Sequence, residues 1–103
     1  MKYKRYFTSR RAAFRAAKRD AGIPMNQHPE KVVRPRTPEG TNYEIDDRNV
    51  RLYVFFIFIG AVFIEVHIRE DKPDKRLGQP KHFNAGNPPD KLKEHYFWND
   101  DES

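Results

Sequence analysis

Five side chains able to bind a metal ion or move a proton lie between residues 70 and 95 of the sequence. Glu70 and Asp71 end an apolar segment, His82 and Asn84 lie in the motif KHFNAG, and His95 follows His82 by thirteen residues. Carboxylate, amide and imidazole groups ligate divalent cations, and a neutral imidazole can activate water. A pair of carboxylates at the end of a strand and an HFN tripeptide each occur commonly without a function. Together, however, these residue types predict a metal-dependent hydrolase.

Basic charge is concentrated in the first third of the chain. Residues 1–36 carry eleven Lys and Arg against Asp20 and Glu30, which gives +9. Residues 37–103 carry nine against thirteen acids, which gives −4, and the two add to the net charge of +5. This asymmetry is typical of contact with a polyanion such as nucleic acid or an anionic membrane surface, and a solvated basic face is the equally weighted alternative.

The segment TSRRAAFRAAKRDAGIP predicts a helix that carries much of this basic charge. Thr8 or Ser9 is expected to cap its N-terminus, Gly22 to end it, and Pro24 to follow. At 100° per residue, one side carries small residues that pack on a sheet, and the other carries cations that contact solvent or nucleic-acid phosphates. The small residues are Ala13, Ala16, Ala17 and Ala21, and the cations are Arg10, Arg11, Arg15, Lys18 and Arg19.

The hydrophobic centre of the sequence predicts a β-hairpin. Thirteen residues from Leu52 to Ile64 are apolar, counting Gly60, whereas a membrane-spanning helix needs about 18–20. Their richness in Val, Ile, Phe and Tyr predicts two strands meeting near Gly60. The first strand is apolar on both faces, so it is expected to be central or to form a self-association surface, with an interfacial membrane hairpin as the alternative.

Length and composition limit the classes of protein that this chain can form. A chain of 103 residues makes one domain with a modest core, and residues 1–7 and 99–103 are expected to fray. The absence of cysteine excludes disulfides and Cys-ligated zinc. No apolar segment typical of a signal peptide follows the basic N-terminus. The fold class expected is α+β, with the basic N-terminal helix packed on an antiparallel sheet or hairpin.

Four segments occur in an order that resembles a known family. They are RRAAFRAAKRDAGIPMNQHPEKV, a strand pair ending in IREDKP, the loop GQPKHFNAG, and KLKEHYFW, and they span most of residues 8 to 98. This order is similar to that of the bacterial polymorphic toxin nucleases of the HNH/endonuclease VII fold. The combination of AKRDAGIP, QHP and HFNAG is more specific than any one of these motifs.

The resemblance implies a ββα-metal type nuclease site in a toxin domain. By position, His82, Asn84 and Glu70 match the family's catalytic residues, with His82 as general base, and Asp71 and His95 are expected at the metal. The implied cofactor is a divalent ion, Mg²⁺ first and Mn²⁺ or Zn²⁺ as alternatives. The implied substrate is nucleic acid, with DNA favoured and RNA as the alternative. The domain would be secreted or delivered as part of a larger toxin and act in the target-cell cytoplasm, where an acidic immunity protein is an expected partner.

Two further hypotheses stay open from the sequence. Many relatives carry a histidine directly after the acidic residue, whereas Asp71 follows Glu70 here. A weakened site would leave a catalytically inactive module that binds nucleic acid through its basic helix. The apolar hairpin would alternatively make the protein self-associate, as a homo-oligomer, or associate with a membrane surface.

Overall fold

One helix and six strands make up the described part of the chain. The structure is a computed structural model that describes residues 4–35, 48–73, 76, 78, 80–86 and 94–98. The elements in chain order are β1 (Lys4–Phe7), α1 (Arg10–Asp20), β2 (Lys31–Val33), β3 (Asn49–Ile59), β4 (Val62–Asp71), β5 (His82–Gly86) and β6 (Glu94–Trp98).

The six strands form one sheet in the order β1-β6-β5-β4-β3-β2. Neighbouring strands are antiparallel except β1 and β6, which are parallel. The predicted α+β class is confirmed, but the sheet is mixed rather than purely antiparallel. Residues Lys4–Phe7 form the edge strand β1, so the expectation that residues 1–7 fray is wrong for these four. The remaining expected frayed residues, 1–3 and 99–103, lie outside the described residues.

Helix α1 packs its alanine side on one face of the sheet, which we call the helix face. The Ser9 hydroxyl accepts a hydrogen bond from the Ala12 amide at 3.1 Å and caps the helix, and Gly22 follows the C-terminus at φ +79°. Small side chains let the helix approach the sheet closely. The resulting core is formed by Ala13, Ala16, Ala17, Ile23, Phe55, Ile57, Val66, Ile68, Phe83, Ala85, Tyr96 and Trp98.

Strands β3 and β4 form the predicted hairpin around Gly60. Gly60 has φ +63°, a conformation that a glycine adopts without strain. The cross-strand register runs from Ile59 opposite Val62 to Arg51 opposite Glu70. The strand β3 is internal and buries apolar residues on both faces, since Leu52 and Val54 pack with Val33 of β2 on the side away from the helix. The prediction of a central strand is therefore confirmed.

The tip of this hairpin is apolar and exposed. Its four large apolar side chains are 55–71% exposed: Phe58, Ile59, Val62 and Phe63. Self-association or membrane-surface binding through this tip stays a prediction. In the described part of the chain no helix is long and apolar enough to cross a membrane.

The side of the sheet opposite α1 carries a group of polar side chains, which we call the polar face. Because successive residues of a strand point to opposite faces, alternate residues of β4, β5 and β6 lie together on this side. They are Glu65, His67, Arg69 and Asp71 of β4, His82 and Asn84 of β5, and His95 of β6.

Candidate active site

Strand register brings four of the five sequence-predicted site residues together on the polar face. Asp71 of β4 lies opposite His82 of β5, and Asn84 lies opposite His95 of β6. Neighbouring strands are about 4.8 Å apart, so side chains on the same face of paired residues come into contact. Arg69 lies opposite Asn84 on the other side, which completes a row of guanidinium, amide and imidazole across three strands.

Asp71 is the centre of the hydrogen-bond network on this face. Its Oδ1 accepts from Asn49 Nδ2 at 2.5 Å and from Arg69 Nε at 2.8 Å, and its Oδ2 accepts from Asn84 Nδ2 at 2.6 Å and from Arg69 Nη2 at 3.0 Å. Burial alone would raise the pKa of this carboxyl, but hydrogen bonds and charge from His82 and Arg69 outweigh burial and lower the pKa to about 2. Asp71 therefore stays ionised across the physiological range.

The low pKa of Asp71 predicts a loss of stability in acid. The folded pKa of about 2 lies below the ordinary value of 3.8, so this carboxylate stabilises the fold above pH 4, and that contribution is lost as the pH falls from about 4 to 2. Because Asp71 is partly accessible to solvent, we expect the contribution to be about 1–2 kcal/mol. Urea unfolding of the wild type at pH 6, 4, 3 and 2 measures it.

The matched control for this prediction is Asp71→Asn, which keeps the size of the side chain but does not titrate. The wild type should lose more stability than Asp71→Asn between pH 4 and 2, because only the wild type carries the shifted carboxyl. Equal losses in the two proteins would show that the ionisation of Asp71 does not contribute to the free energy of unfolding.

His82 is buried, and protein groups fix the orientation of its ring. Its Nδ1 lies 3.0 Å from the carbonyl oxygen of Pro80, to which it donates, and its Nε2 lies 3.3 Å from Asp71 Oδ2. Both nitrogens therefore face acceptors, and the contact with Asp71 is attractive when the imidazole is protonated. Only 4% of the residue is exposed, so the Pro80 carbonyl and the Asp71 carboxylate hold His82 in place within the sheet.

His95 stacks on His82 and is the more exposed of the two imidazoles. The ring centroids are 5.0 Å apart and the planes differ by 11°. Phe97 lies beside both rings, at 5.0 Å from His82 and 5.9 Å from His95. The buried ring of His82 and the ring of Phe97 thus fix the plane of His95.

Glu70 lies on the helix face, so the structure does not bring it to His82. Glu70 Oε1 accepts a hydrogen bond from Arg10 Nη2 at 2.6 Å, and Oε2 accepts one from Arg10 Nε at 3.1 Å. The Tyr53 hydroxyl and Arg51 Nη1 also lie near Oε1, at 3.4 and 3.8 Å. Hydrogen bonding to Glu70 raises the pKa of Arg10. Adjacent residues of a strand point to opposite faces, so Glu70 and Asp71 cannot both reach one site. Glu70 instead ties the first turn of α1 to the sheet.

The predicted basic stripe of α1 is only partly present. Arg11, Arg15 and Arg19 are exposed, but Arg10 binds Glu70 and Lys18 is buried at 6% exposure. The Lys18 ammonium donates to the carbonyl oxygens of Met25 and Gln27, both at 2.8 Å. Burial, and then the charge of Arg15, lowers the pKa of Lys18. The prediction that Lys18 faces solvent is therefore wrong, because its ammonium satisfies carbonyls in the segment after the helix.

The helix also lies on the opposite side of the sheet from the polar face. For a nuclease that acts at the polar face, the triple change Arg11→Ala, Arg15→Ala and Arg19→Ala should leave the cleavage rate of a 12-mer oligonucleotide at saturating protein within about twofold of wild type, since these arginines lie across the sheet from that face. Binding of long nucleic acid should weaken and depend less on salt. The slope of the logarithm of the binding constant against the logarithm of the salt concentration should become shallower by about 0.7–0.9 for each phosphate contact that is lost. Rates and affinities at 50 and 200 mM salt measure both effects. A large rate loss on the 12-mer would contradict the separation of the two surfaces.

The donors of the polar face do not fit a divalent metal ion as they are arranged. Both oxygens of Asp71 are occupied by donors, and Arg69 already supplies a positive charge there. A hard cation requires several oxygen ligands with free lone pairs. Among the described residues, no group of three or more His, Cys, Asp or Glu side chains is placed to hold a metal. In this arrangement Asp71 is committed to Arg69, Asn49 and Asn84, and binding of a metal ion by Asp71 and His95 stays a prediction.

Three residues of this face were not singled out from the sequence. Strand alternation places Arg69 beside Asp71, and this signal was available in the pattern of β4. Asn49 reaches Asp71 only through the pairing of β3 with β4. Tyr6 of β1 stacks on Phe97 at 5.1 Å and is 67% exposed, and no local pattern indicates the parallel pairing of β1 that puts it there.

Comparison with known proteins gives no relatives from which a function could be transferred. No family model matches the chain, and neither the curated proteins nor the solved structures contain a significant match. The geometry of the polar face and the motif resemblance therefore carry the functional argument.

Proposed function

We propose that this protein cleaves phosphodiester bonds of nucleic acid as the effector domain of a bacterial toxin. The observation that carries the proposal is the row of Arg69, Asn84 and His95 across three adjacent strands, beside the contact between Asp71 and His82. A cation for the phosphate, an amide and an accessible imidazole are the groups that phosphoryl transfer uses. The toxin setting comes from the motif resemblance alone.

The proposed roles follow from exposure and contacts. His95 is the general base, because it is the more exposed imidazole and its ring plane is fixed by stacking. Arg69 has a side chain that is 36% exposed, and it stabilises negative charge on the phosphate. His82 and Asp71 are positioning residues that act through His95. Asn84 holds Asp71 and separates the cation from the imidazole.

A cleavage assay with a broad set of substrates tests this proposal. Purified protein is incubated with supercoiled plasmid, single-stranded DNA and total RNA, each with Mg²⁺, Mn²⁺, Zn²⁺ or EDTA. We expect shortened products from at least one substrate. If folded protein, verified by circular dichroism, leaves every substrate intact in every condition, the protein is not a nuclease.

A second candidate is a nucleic-acid-binding module without catalysis. It is favoured by one observation, that both ring nitrogens of His82 already face protein acceptors. This module would bind nucleic acid in a salt-dependent manner, and binding would be unaffected by His82→Ala or His95→Ala. Turnover by the wild type that is lost in both variants would exclude it.

The exposed arginines of α1 are available for a different partner in this proposal. Arg11, Arg15 and Arg19 form a basic surface on the side of the molecule away from the polar face. An acidic immunity protein would be steered to such a surface by charge complementarity, chiefly through a faster association rate. To inhibit cleavage, such a partner would have to be large enough to extend from α1 around the edge of the sheet to the polar face.

A further inference from the structure

The arrangement of Asp71 decides which reaction the polar face can perform. Its two oxygens accept four hydrogen bonds, two of them from one guanidinium. A metal ion would have to displace Arg69, which already neutralises this carboxylate. The site therefore offers imidazole and guanidinium chemistry in place of a metal-bound hydroxide.

Chemistry of this kind suits a substrate that contains its own nucleophile. Hydrolysis of DNA needs an activated water, which metal ions supply by lowering the pKa of bound water to about 7. RNA carries a 2′-hydroxyl next to each phosphate, and such an intramolecular nucleophile has an effective concentration far above that of any solute. An imidazole that removes the hydroxyl proton is then sufficient.

We propose that the substrate is single-stranded RNA and that the polar face cleaves it without a metal ion, through attack of the 2′-hydroxyl. This inference rests on the proposed nuclease function. It narrows the substrate class from nucleic acid in general to RNA, whereas the family resemblance favours DNA.

Among the protein groups, His95 alone carries a proton in this step. His95 takes the proton of the 2′-hydroxyl while the 2′-oxygen forms a bond to the adjacent phosphorus. The bond from phosphorus to the 5′-oxygen breaks on the opposite side, that oxygen takes a proton from solvent water, and the imidazolium releases its proton to solvent. The products are a 2′,3′-cyclic phosphate and a 5′-hydroxyl, and Arg69 stabilises the charge on the phosphorus oxygens throughout.

An exposed aromatic ring near His95 supports single-stranded RNA as the substrate. Tyr6 is 67% exposed and stacks on Phe97, whose ring contacts both histidines. Proteins bind unpaired bases by stacking them on such rings, whereas paired bases are not accessible in this way. If a base stacks on Tyr6, the phosphate next to that base lies close to His95.

Three 12-mers of one sequence test the proposal: all RNA, all DNA, and DNA with a single ribonucleotide. Each is incubated with the full chain in EDTA, and products are identified by mass spectrometry. We expect cleavage of the RNA with cyclic phosphate ends, no cleavage of the DNA, and one cut in the mixed strand, directly 3′ of the ribonucleotide. Tyr6→Ala should raise KM about tenfold with kcat little changed, and Tyr6→Phe should restore it.

The failure of this inference and the failure of the proposed function give different results. Cleavage that needs an added metal, or that also cuts the DNA strand, overturns the metal-free RNA mechanism and leaves a nuclease. No cleavage of any strand, with or without Mg²⁺, Mn²⁺ or Zn²⁺, overturns both. An unchanged KM in Tyr6→Ala overturns the stacking of a base on Tyr6.

Discussion

Replacing His95 with alanine should lower the cleavage rate by about 10²–10⁴-fold at pH 7, the range typical of a lost general base. His95 is the more exposed imidazole of the stacked pair and is the only proton carrier in the proposed step. The change leaves Asp71 and its four hydrogen bonds in place, so the fold should persist. Single-turnover rates on a fluorescent 12-mer, at saturating protein, measure the effect on the chemical step.

Two variants control for this result. His28 is an exposed histidine in the segment after α1, and His28→Ala should cleave at the wild-type rate. His95→Gln keeps polarity and length without a basic ring nitrogen and should be as slow as His95→Ala. If His95→Gln cleaves at nearly the wild-type rate, His95 does not carry the proton and its proposed role is wrong.

Replacing Arg10 with alanine should lower the free energy of unfolding by about 2–3 kcal/mol. Arg10 makes two hydrogen bonds to Glu70, whose side chain is 8% exposed. Removing it leaves a buried carboxylate without its main partner, which costs more than the pair itself contributes. The figure is below that of a fully buried pair because the Arg10 side chain is 42% exposed. Urea unfolding followed by tryptophan fluorescence measures it.

Arg11→Ala is the matched control, because Arg11 is the next residue of the same helix and is exposed. It should change the free energy of unfolding by less than about 0.5 kcal/mol. Adding Glu70→Ala to Arg10→Ala should recover part of the loss, since the unpaired charge is then gone. Cleavage per folded molecule should stay unchanged in Arg10→Ala. A fall in kcat with stability intact would instead return Arg10 and Glu70 to the catalytic site.

Local sequence patterns were sufficient to predict the elements that depend on short-range physics. The capping residue and Gly22 delimit α1, and alternation in the hairpin predicts which residues of β3 and β4 share a face. By contrast, β2 has three residues within a proline-rich segment, and β1 pairs with the far end of the chain. Neither strand has a local signal, because their partners are distant in sequence.

The candidate site was predictable in its residue types more than in its geometry. The motif around His82 and Asn84 identified two residues of the polar face, but the loop predicted there is wrong from residue 82 on, because His82–Gly86 form strand β5. The alternation of side chains along β4 separates Asp71 from Glu70. The sequence could not show that Arg69 neutralises Asp71, since this depends on rotamers and on Asn49 from the opposite strand. The buried position of Lys18 escaped prediction for a similar reason, as its ammonium binds carbonyls in a loop rather than a charged partner.

In the proposed function, nucleic acid binds and is cleaved at the polar face and not at the basic helix α1. The most direct measurement is a titration of ¹⁵N-labelled protein with a 12-mer RNA whose 2′-hydroxyls are methylated, which binds without being cleaved. We expect the largest amide shifts at Arg69, Asn84 and His95, together with Tyr6 at the neighbouring edge. Shifts confined to Arg10–Asp20 of α1 would contradict this account.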